Sequence, residues 1–252
     1  MIKITAGIGK NKNIAKACSI LNKKSDIEIN LVNTNEELIS AIYDKNIDGV
    51  VRGSLSASGV IKSLKNKSSN KINRGTFIHS EEYEFLILPV GIDEGKTIED
   101  KVVLAKQASK FILKLNLSPK IAILSGGRSD DYGRTKEIDN MLNESSKLYD
   151  VLSNEFSNDI DFKDINYSIK NYNILIEQAI NDKNNIIIAP NGIIGNYIFR
   201  ILVLLCKWPS YGGVTLGIDN VYIDTSRDQT VEGYLRSLEL AYRLACLKNT
   251  NK

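Results

Sequence analysis

Four segments of the sequence combine glycine, serine, asparagine or arginine in the way that anion-binding loops do, and each follows a short apolar run. They are residues 52–54, 125–134, 190–196 and 224–227. Glycines allow backbone N–H groups to approach an anion, and arginine offers a bidentate fork for phosphate or carboxylate. One such loop is usually an ordinary turn, but four in one chain favour a site for a phosphorylated ligand.

The rest of the chain alternates short apolar runs with segments whose apolar residues recur at helical spacing. The runs that predict strands are 2–6, 27–32, 49–51, 77–78, 84–88, 121–124, 186–189, 214–216 and 221–223. Helices are predicted over 14–21, 35–43, a short stretch after Ser56, 97–112, a stretch after Thr135, 174–180, 198–205 and 231–245, with 62–74 as a polar surface loop. This alternation predicts a mostly parallel sheet covered on both faces, with ligands at the carboxyl ends of its strands.

The composition of the chain disfavours nucleic-acid binding, a metal site and membrane insertion. The chain has 252 residues, with 33 Lys and Arg against 30 Asp and Glu. A net charge of +3 is too small to predict the dense basic face of a nucleic-acid binder. A single histidine, His79, excludes a multi-histidine metal site, so we expect no metal. Neither an amino-terminal signal core nor a run of the roughly 20 apolar residues that span a bilayer is present, which predicts a cytoplasmic protein without membrane contact.

The segment Gly7-Ile8-Gly9 after the first predicted strand looks like part of a dinucleotide fingerprint. However, Lys12 stands where the third glycine belongs, and the second predicted strand ends near Asn33 rather than at an acidic residue. A nicotinamide or adenosylmethionine site of the Rossmann type is therefore disfavoured. His79 allows two interpretations, a general base or a side chain that hydrogen-bonds at the end of a strand.

The order of the motifs resembles that of the phosphate acetyl/butyryl transferases. The segments that carry this resemblance are 48–54, 118–125, 188–196 and 224–227. The details of 125–130 and 189–192 are closer to methyltransferase subunit X, a methanogenesis marker family of archaea. The resemblance implies two three-layer α/β/α domains with mostly parallel sheets and a cleft between them, one formed by 1–112 plus 227–252 and the other by 113–226. It also implies a homodimer.

The resemblance also assigns roles to individual residues. In the acyltransferases the coenzyme A thiolate attacks an acyl phosphate, and a Ser-Arg pair steadies the phosphate and the developing oxyanion. Ser226 and Arg227 match that pair, and Asp224 matches the Asp before it. Coenzyme A or another phosphorylated ligand is expected at the remaining strand-end residues: Arg52, Ser54, Ser125, Gly126, Gly127, Arg128, Arg134, Asn191, Gly192, Gly195 and Asn196. Arg128 and Arg227 are expected to approach one another across the cleft.

Two departures from the acyltransferases keep alternatives open. The helper Asp expected seven residues after Ser226 is Gly233, and Ile193 stands where the family has an Asn. The main expectation is therefore a methyltransferase subunit X that binds a phosphorylated ligand and works with other methyltransferase subunits. The alternatives are an acyltransferase between phosphate and coenzyme A, and a non-catalytic protein for ligand sensing or assembly.

Overall fold

The computed structural model describes residues 1–23, 26–56, 59–68, 71–80 and 82–250. The chain divides into two compact units, which are described separately. Unit 1 comprises Met1–Ile72 and Pro209–Lys252, and unit 2 comprises Asn73–Trp208.

Unit 1 is built on a five-stranded sheet. Its strands are β1 (Ile2–Gly7), β2 (Ile27–Val32), β3 (Gly49–Val51), β9 (Ser210–Leu216) and β10 (Val221–Asp224). Its helices are α1 (Asn13–Asn22), α2 (Asn35–Tyr43), α3 (Val60–Lys67) and α8 (Val231–Thr250). The strand order is β2-β1-β3-β10-β9. The first four strands are parallel, whereas β9 is antiparallel to β10.

The sheet of unit 1 is covered on both faces because its central strands are apolar on both sides. On one face, α2 and α3 bury Leu38, Ile42 and Leu64 against Val50 and Tyr222. Helices α1 and α8 pack against each other, and α8 also contacts β1, β3, β9 and β10. The result is a three-layer α/β/α unit whose parallel strands end at one edge.

Unit 2 has the same layered architecture. Its strands are β4 (Asn73–His79), β5 (Glu84–Leu88), β6 (Lys120–Leu124), β7 (Ser168–Asn173) and β8 (Ile186–Ile188). Its helices are α4 (Ile98–Lys114), α5 (Lys136–Asn158), α6 (Ile176–Asn181) and α7 (Gly192–Phe199), the last continued by a π-helical segment, Arg200–Leu205. The order is β4-β5-β8-β6-β7. Strands β5, β8, β6 and β7 are parallel, and β4 forms an antiparallel hairpin with β5.

Three helices, α2, α4 and α5, begin with a threonine N-cap. The hydroxyl of Thr34 accepts a hydrogen bond from the backbone N–H of Glu37, and the Glu37 carboxylate accepts one from the Thr34 N–H in return. Thr97 and Thr135 cap α4 and α5 in the same way through one hydrogen bond each. Such caps satisfy N–H groups that have no partner within the helix.

The boundaries of the compact units differ from those of the predicted domains. The first domain was predicted as 1–112 plus 227–252, and the second as 113–226. The hairpin and helix over 73–114 belong to unit 2, because β5 pairs with β8 and α4 packs on α5. Residues 209–226 belong to unit 1, because β10 pairs with β3.

Three local predictions also differ from the structure. The segment 62–74 contains most of α3 and the start of β4 rather than a continuous loop. No strand was predicted at the position of β7, and α7 begins at Gly192, before the predicted start at Ile198. Among the described residues, no helix is long and apolar enough to cross a membrane.

Candidate functional site

Three loops of unit 1 meet at the carboxyl ends of β1, β3 and β10. Since these strands are parallel, the loops that follow them lie along one edge of the sheet. The Ser54 hydroxyl joins two of them: it accepts a hydrogen bond from Gly9 N at 2.7 Å and donates one to the Asn11 carbonyl at 2.8 Å. Thr225 joins the third by donating to the Gly53 carbonyl at 2.7 Å.

Glycines make this close approach possible. Gly53 has a φ of +60°, and a Cβ added there would lie 1.9 Å from the Gly7 carbonyl oxygen. A Cβ on Gly7 would lie 2.3 Å from the Arg52 carbonyl oxygen. Packing excludes a side chain at both positions, and at Gly53 the positive φ disfavours one as well. The dinucleotide-like Gly7-Ile8-Gly9 segment therefore has a structural explanation in its contact with the loop after β3.

Arg52 and Asp224, both predicted site residues, form an ion pair with each other. The Arg52 Nε donates to Asp224 Oδ1, and its Nη1 donates to the Leu55 carbonyl at 2.5 Å. The two side chains are 7% and 15% exposed. Because each charge is largely removed from water, each depends on the other for compensation. In this geometry Asp224 holds Arg52 and is not a free proton acceptor.

Ser226 and Arg227 differ from that pair because both are exposed. Their side chains make no hydrogen bond or ion pair with any residue that the structure describes. Their backbone, in contrast, is fixed: the Tyr234 hydroxyl lies 2.7 Å from the Arg227 carbonyl oxygen and 3.2 Å from that of Ser226. Asn11 Nδ2 donates to the Arg227 carbonyl as well, at 3.3 Å. A fixed backbone with a free hydroxyl and a free guanidinium is suited to binding an anion.

Tyr234 is fully buried in α8, and burial raises the pKa of its hydroxyl. It therefore remains a neutral hydrogen-bond donor at physiological pH. Tyr234 was not among the predicted site residues because it lies on the buried, mostly apolar face of a helix.

The helper Asp of the acyltransferases is replaced here by Gly233, and the Gln229 side chain fills the space beside it. A Cβ at Gly233 would lie 2.4 Å from the Gln229 side-chain oxygen. The neighbouring Glu232 is exposed, and hydrogen bonds from its own backbone N–H and from the Thr230 side chain lower the pKa of its carboxyl. Gly233 itself thus brings no carboxylate towards Ser226.

In unit 2, the predicted loop 125–134 follows β6, and its first two glycines face α5. A Cβ on Gly126 would lie 2.4 Å from Met141 Sδ, and one on Gly127 would lie 2.8 Å from Ile138 Cγ2. The side chains of Arg128 and Arg134 are exposed.

Asp131 organises the same loop. Its carboxylate accepts a hydrogen bond from the Arg128 backbone N–H at 2.8 Å and pairs with the Arg134 guanidinium at 3.1 Å. Ser125, by contrast, is 5% exposed, and its hydroxyl has no hydrogen-bond partner among the described residues.

The predicted loop 190–196 contains the start of α7. Asn191 is the N-cap, since its Oδ1 accepts from the backbone N–H groups of Ile193 and Ile194 at 3.0 Å each. Asn196 Nδ2 donates to the Val90 carbonyl at 2.9 Å. These contacts occupy groups that were predicted to bind a ligand.

Close packing explains the two glycines of the loop. A Cβ on Gly192 would lie 1.7 Å from the Gly91 carbonyl oxygen, and one on Gly195 would lie 1.9 Å from that of Pro89. Both glycines therefore let α7 approach the turn after β5.

Relatives of the chain identify its family. No family model matches the sequence. The chain is 38% identical over 248 residues to an "uncharacterized methyltransferase" of Methanocaldococcus jannaschii, covering 95% of this chain and 96% of that protein. It is 34% identical over 209 residues to the "Putative methyltransferase mtx subunit X" of Methanosarcina barkeri, covering 81% of this chain and 73% of the relative. The chain belongs to the methyltransferase subunit X family.

Solved structures similar to this member of the methyltransferase subunit X family include phosphotransacylases and dehydrogenases. A branched-chain phosphotransacylase from Enterococcus faecalis aligns with a TM-score of 0.75 at 17% identity, covering 97% of this chain and 99% of that one. A phosphotransacetylase from Staphylococcus aureus aligns with a TM-score of 0.71 at 14% identity, covering 97% and 93%. At these identities the likeness concerns the fold alone, and it confirms the predicted mostly parallel α/β fold of the phosphotransacetylase type.

A second ion pair, in which only the lysine is buried, was not predicted from the sequence. Lys101 on α4 is 4% exposed and lies 2.5 Å from the Glu144 carboxylate of α5. Both side chains line a small cavity with Leu124 and Ala189, near the carboxyl ends of β6 and β8. Among the residues that are described, no group of three or more His, Cys, Asp or Glu side chains could hold a metal ion.

Proposed function

We propose that this protein is the X subunit of a methanogen methyltransferase system, and that it binds a phosphorylated ligand at the loops after β1, β3 and β10. The proposed binding groups are the Ser226 hydroxyl and the Arg227 guanidinium. The observation that carries the proposal is that both are exposed and unpartnered among the described residues, while Tyr234 and Asn11 fix their backbone. The methyltransferase assignment is supported by the names of the relatives from methanogens.

Three groups of predicted site residues take different parts in this proposal. Ser226 and Arg227 contact the ligand, whereas Arg52, Ser54 and Asp224 support the loops. The residues of unit 2 that were predicted to bind the ligand remain candidates where their polar groups are free, as with Arg128 and the Ser125 hydroxyl. Coenzyme A is the ligand to test first, because the fold is that of phosphotransacylases.

A ligand-retention experiment tests the proposal. Native mass spectrometry and calorimetric titration with inorganic phosphate, acetyl phosphate and coenzyme A should detect binding to the wild-type chain. Arg227→Gln should weaken it by about tenfold or more, the loss expected for a charge-assisted hydrogen bond. Lys45→Gln is the matched control, since this exposed lysine precedes β3 and lies at the opposite edge of the sheet. Equal binding by wild type and Arg227→Gln would contradict the proposal.

Acyl transfer from phosphate to coenzyme A is the second candidate function, and it rests on Ser226 and Arg227. Gly233 removes the group that would assist deprotonation of the thiol. We therefore expect ligand binding without acyl phosphate turnover. Acyl phosphate turnover by the wild type that is lost in Arg227→Ala would instead support the acyltransferase function. A chain that retains a ligand but binds no partner subunit would support a sensing or assembly role.

The proposal includes other methyltransferase subunits as partners and a cytoplasmic location in an archaeal cell. Affinity purification of the tagged chain from a methanogen, followed by fractionation of the cell extract, tests both. Absence of any methyltransferase subunit from the purified material would contradict the proposed partners. Recovery of the chain with the membrane fraction would contradict the cytoplasmic location.

A homodimer is also proposed, and an exposed apolar stripe on α7 and the π-helical segment supports it. The stripe consists of large side chains that are 45–74% exposed: Ile193, Tyr197, Ile201, Leu204 and Leu205. Together they present on the order of 500 Å² of apolar surface, as much as the largest patch on a typical monomer. A second copy that contributes the same stripe would bury roughly 1,000 Å², the lower bound for a specific interface.

The charge of this segment fits self-association as well. Between Gly192 and Trp208 the only charged residues are Arg200 and Lys207, so few charges would be buried. Ile201→Glu combined with Leu205→Glu should convert a dimer to a monomer in sedimentation velocity. Ile160→Glu, at an exposed isoleucine outside the stripe, should leave the dimer intact.

A further inference from the structure

The loop between β1 and α1 carries two lysines, Lys10 and Lys12, that no predicted role includes. Both are exposed. Lys10 makes no hydrogen bond or ion pair with any described residue, and Lys12 Nζ donates to the Gly9 carbonyl at 3.0 Å. Neither ammonium therefore has a carboxylate partner in the part of the chain that the structure describes.

Asn11, which lies between the two lysines, anchors this loop to the loop that carries Arg227. Its Nδ2 donates to the Arg227 carbonyl at 3.3 Å and to the Gln229 carbonyl at 3.0 Å, while its own carbonyl accepts from Ser54. Consecutive Cα atoms are about 3.8 Å apart. Lys10 and Lys12 are thus the sequence neighbours of Asn11, whose side chain contacts the Arg227 backbone.

The exposed charged groups of these loops and of the start of α8 leave a net charge of +1. The Arg52 and Asp224 charges cancel within their ion pair, so the exposed cations are Lys10, Lys12 and Arg227. The exposed carboxylates of the third loop and the start of α8 are those of Asp228 and Glu232. Glu232 accepts hydrogen bonds at the start of α8, as acidic residues in a first helical turn commonly do.

Three cations on two adjoining loops exceed what one phosphate requires. Arg227 can hold one phosphoryl group through its two-pronged guanidinium, assisted by the Ser226 hydroxyl. The lysines are mobile point charges that suit a second phosphoryl group beside the first. We propose that Lys10 and Lys12, together with Arg227, form a binding site for a diphosphate group. This inference rests on the proposed function, because it extends the same site.

Calorimetric titration of inorganic pyrophosphate and orthophosphate at equal ionic strength tests the diphosphate site. The wild-type chain should bind pyrophosphate about tenfold more tightly than orthophosphate, since one added charge-assisted contact supplies about that factor. Lys10→Gln combined with Lys12→Gln should weaken pyrophosphate binding by about tenfold and leave orthophosphate binding within about twofold. Arg227→Gln should weaken the binding of both anions.

Lys3→Gln combined with Lys45→Gln is the control, because it removes the same charge from exposed lysines near the amino ends of β1 and β3, at the opposite edge of the sheet. Circular dichroism verifies that each variant is folded. The diphosphate inference is wrong if the control weakens pyrophosphate binding as much as the Lys10 and Lys12 variant does. It is also wrong if that variant weakens the binding of both anions equally, or of neither. In each of these cases the proposed function stands. If the wild type binds neither anion, both are wrong. Titration with adenosine diphosphate separates the sources: tighter binding than pyrophosphate supports a nucleoside diphosphate, and equal binding supports the diphosphate alone.

Discussion

Replacement of Arg52 by methionine should destabilise the protein strongly, because it leaves a buried carboxylate without its cation. The methionine retains much of the apolar stem but donates to neither Asp224 nor the Leu55 carbonyl. Removing one partner of a buried ion pair costs about 3–5 kcal/mol. The Asp224 side chain is 15% exposed, so water can compensate in part, and we expect about 3 kcal/mol.

Urea unfolding followed by circular dichroism measures this loss, and a double-mutant cycle assigns it to the pair. Arg52→Met combined with Asp224→Leu should lose less stability than the sum of the single variants, because no charge is left unpaired. The coupling energy should exceed about 1 kcal/mol. Lys110→Met is the control, since Lys110 and Asp161 form an ion pair in which both side chains are more than half exposed. It should cost less than about 1 kcal/mol.

Hydrogen exchange locates the effect. A loss of about 3 kcal/mol would accelerate exchange of the affected amides by roughly a hundredfold, and we expect it at residues 49–56 and 221–229. A loss below about 1 kcal/mol for Arg52→Met, or single-variant effects that simply add, would refute the argument that Arg52 and Asp224 support each other.

Further predictions concern the loops, the cysteines and the acid stability. Tyr234→Phe should cost about 1–2 kcal/mol in urea unfolding and accelerate exchange at 226–229, since two carbonyls lose a buried donor. Gly53→Ala should destabilise far more than Gly59→Ala in thermal unfolding: both glycines have positive φ, but a Cβ at Gly59 meets nothing within 4 Å; equal losses would contradict the close approach. At pH 8, iodoacetamide labelling followed by mass spectrometry should modify the exposed Cys206 and spare Cys18, because burial raises the pKa of Cys18 to about 12. Hydrogen bonds from Lys106 lower the pKa of Asp159, so this carboxylate stabilises the fold above its unfolded pKa of about 3.9 and loses that contribution as the pH falls through its folded value. Lys106→Met should therefore flatten the decline in stability below about pH 4, and an unchanged slope would contradict the linkage.

Strong local signals in the sequence predicted much of the fold. The buried parallel strands are short apolar runs such as Ile186–Ile188, and helices α2 and α4 carry apolar residues at helical spacing. Strand β7 gave no such signal because only one of its six residues, Tyr172, is buried. Helix α3 was missed over 62–67 because its sequence is mostly polar around the buried Leu64.

The candidate site was only partly predictable because its organisation depends on long-range contacts. Arg52 and Asp224 are separated by 172 positions, and their types alone suggest ligand contacts as readily as a mutual ion pair. Asn191 was predicted to bind a ligand, yet its amide oxygen caps α7, a role that depends on where the helix begins. Asn11 joins two loops 216 residues apart, and a single sequence contains no signal for such a contact.

Arginine footprinting with phenylglyoxal tests the central claim most directly, namely that Arg227 is free to bind a phosphorylated ligand while Arg52 is held in the scaffold. Mass spectrometry would follow modification of each arginine in the intact protein, with and without inorganic pyrophosphate. We predict rapid modification of Arg227, its suppression by pyrophosphate, and no modification of Arg52 under either condition. Modification of Arg227 at the same rate in both conditions, or of Arg52 as fast as Arg227, would contradict the account.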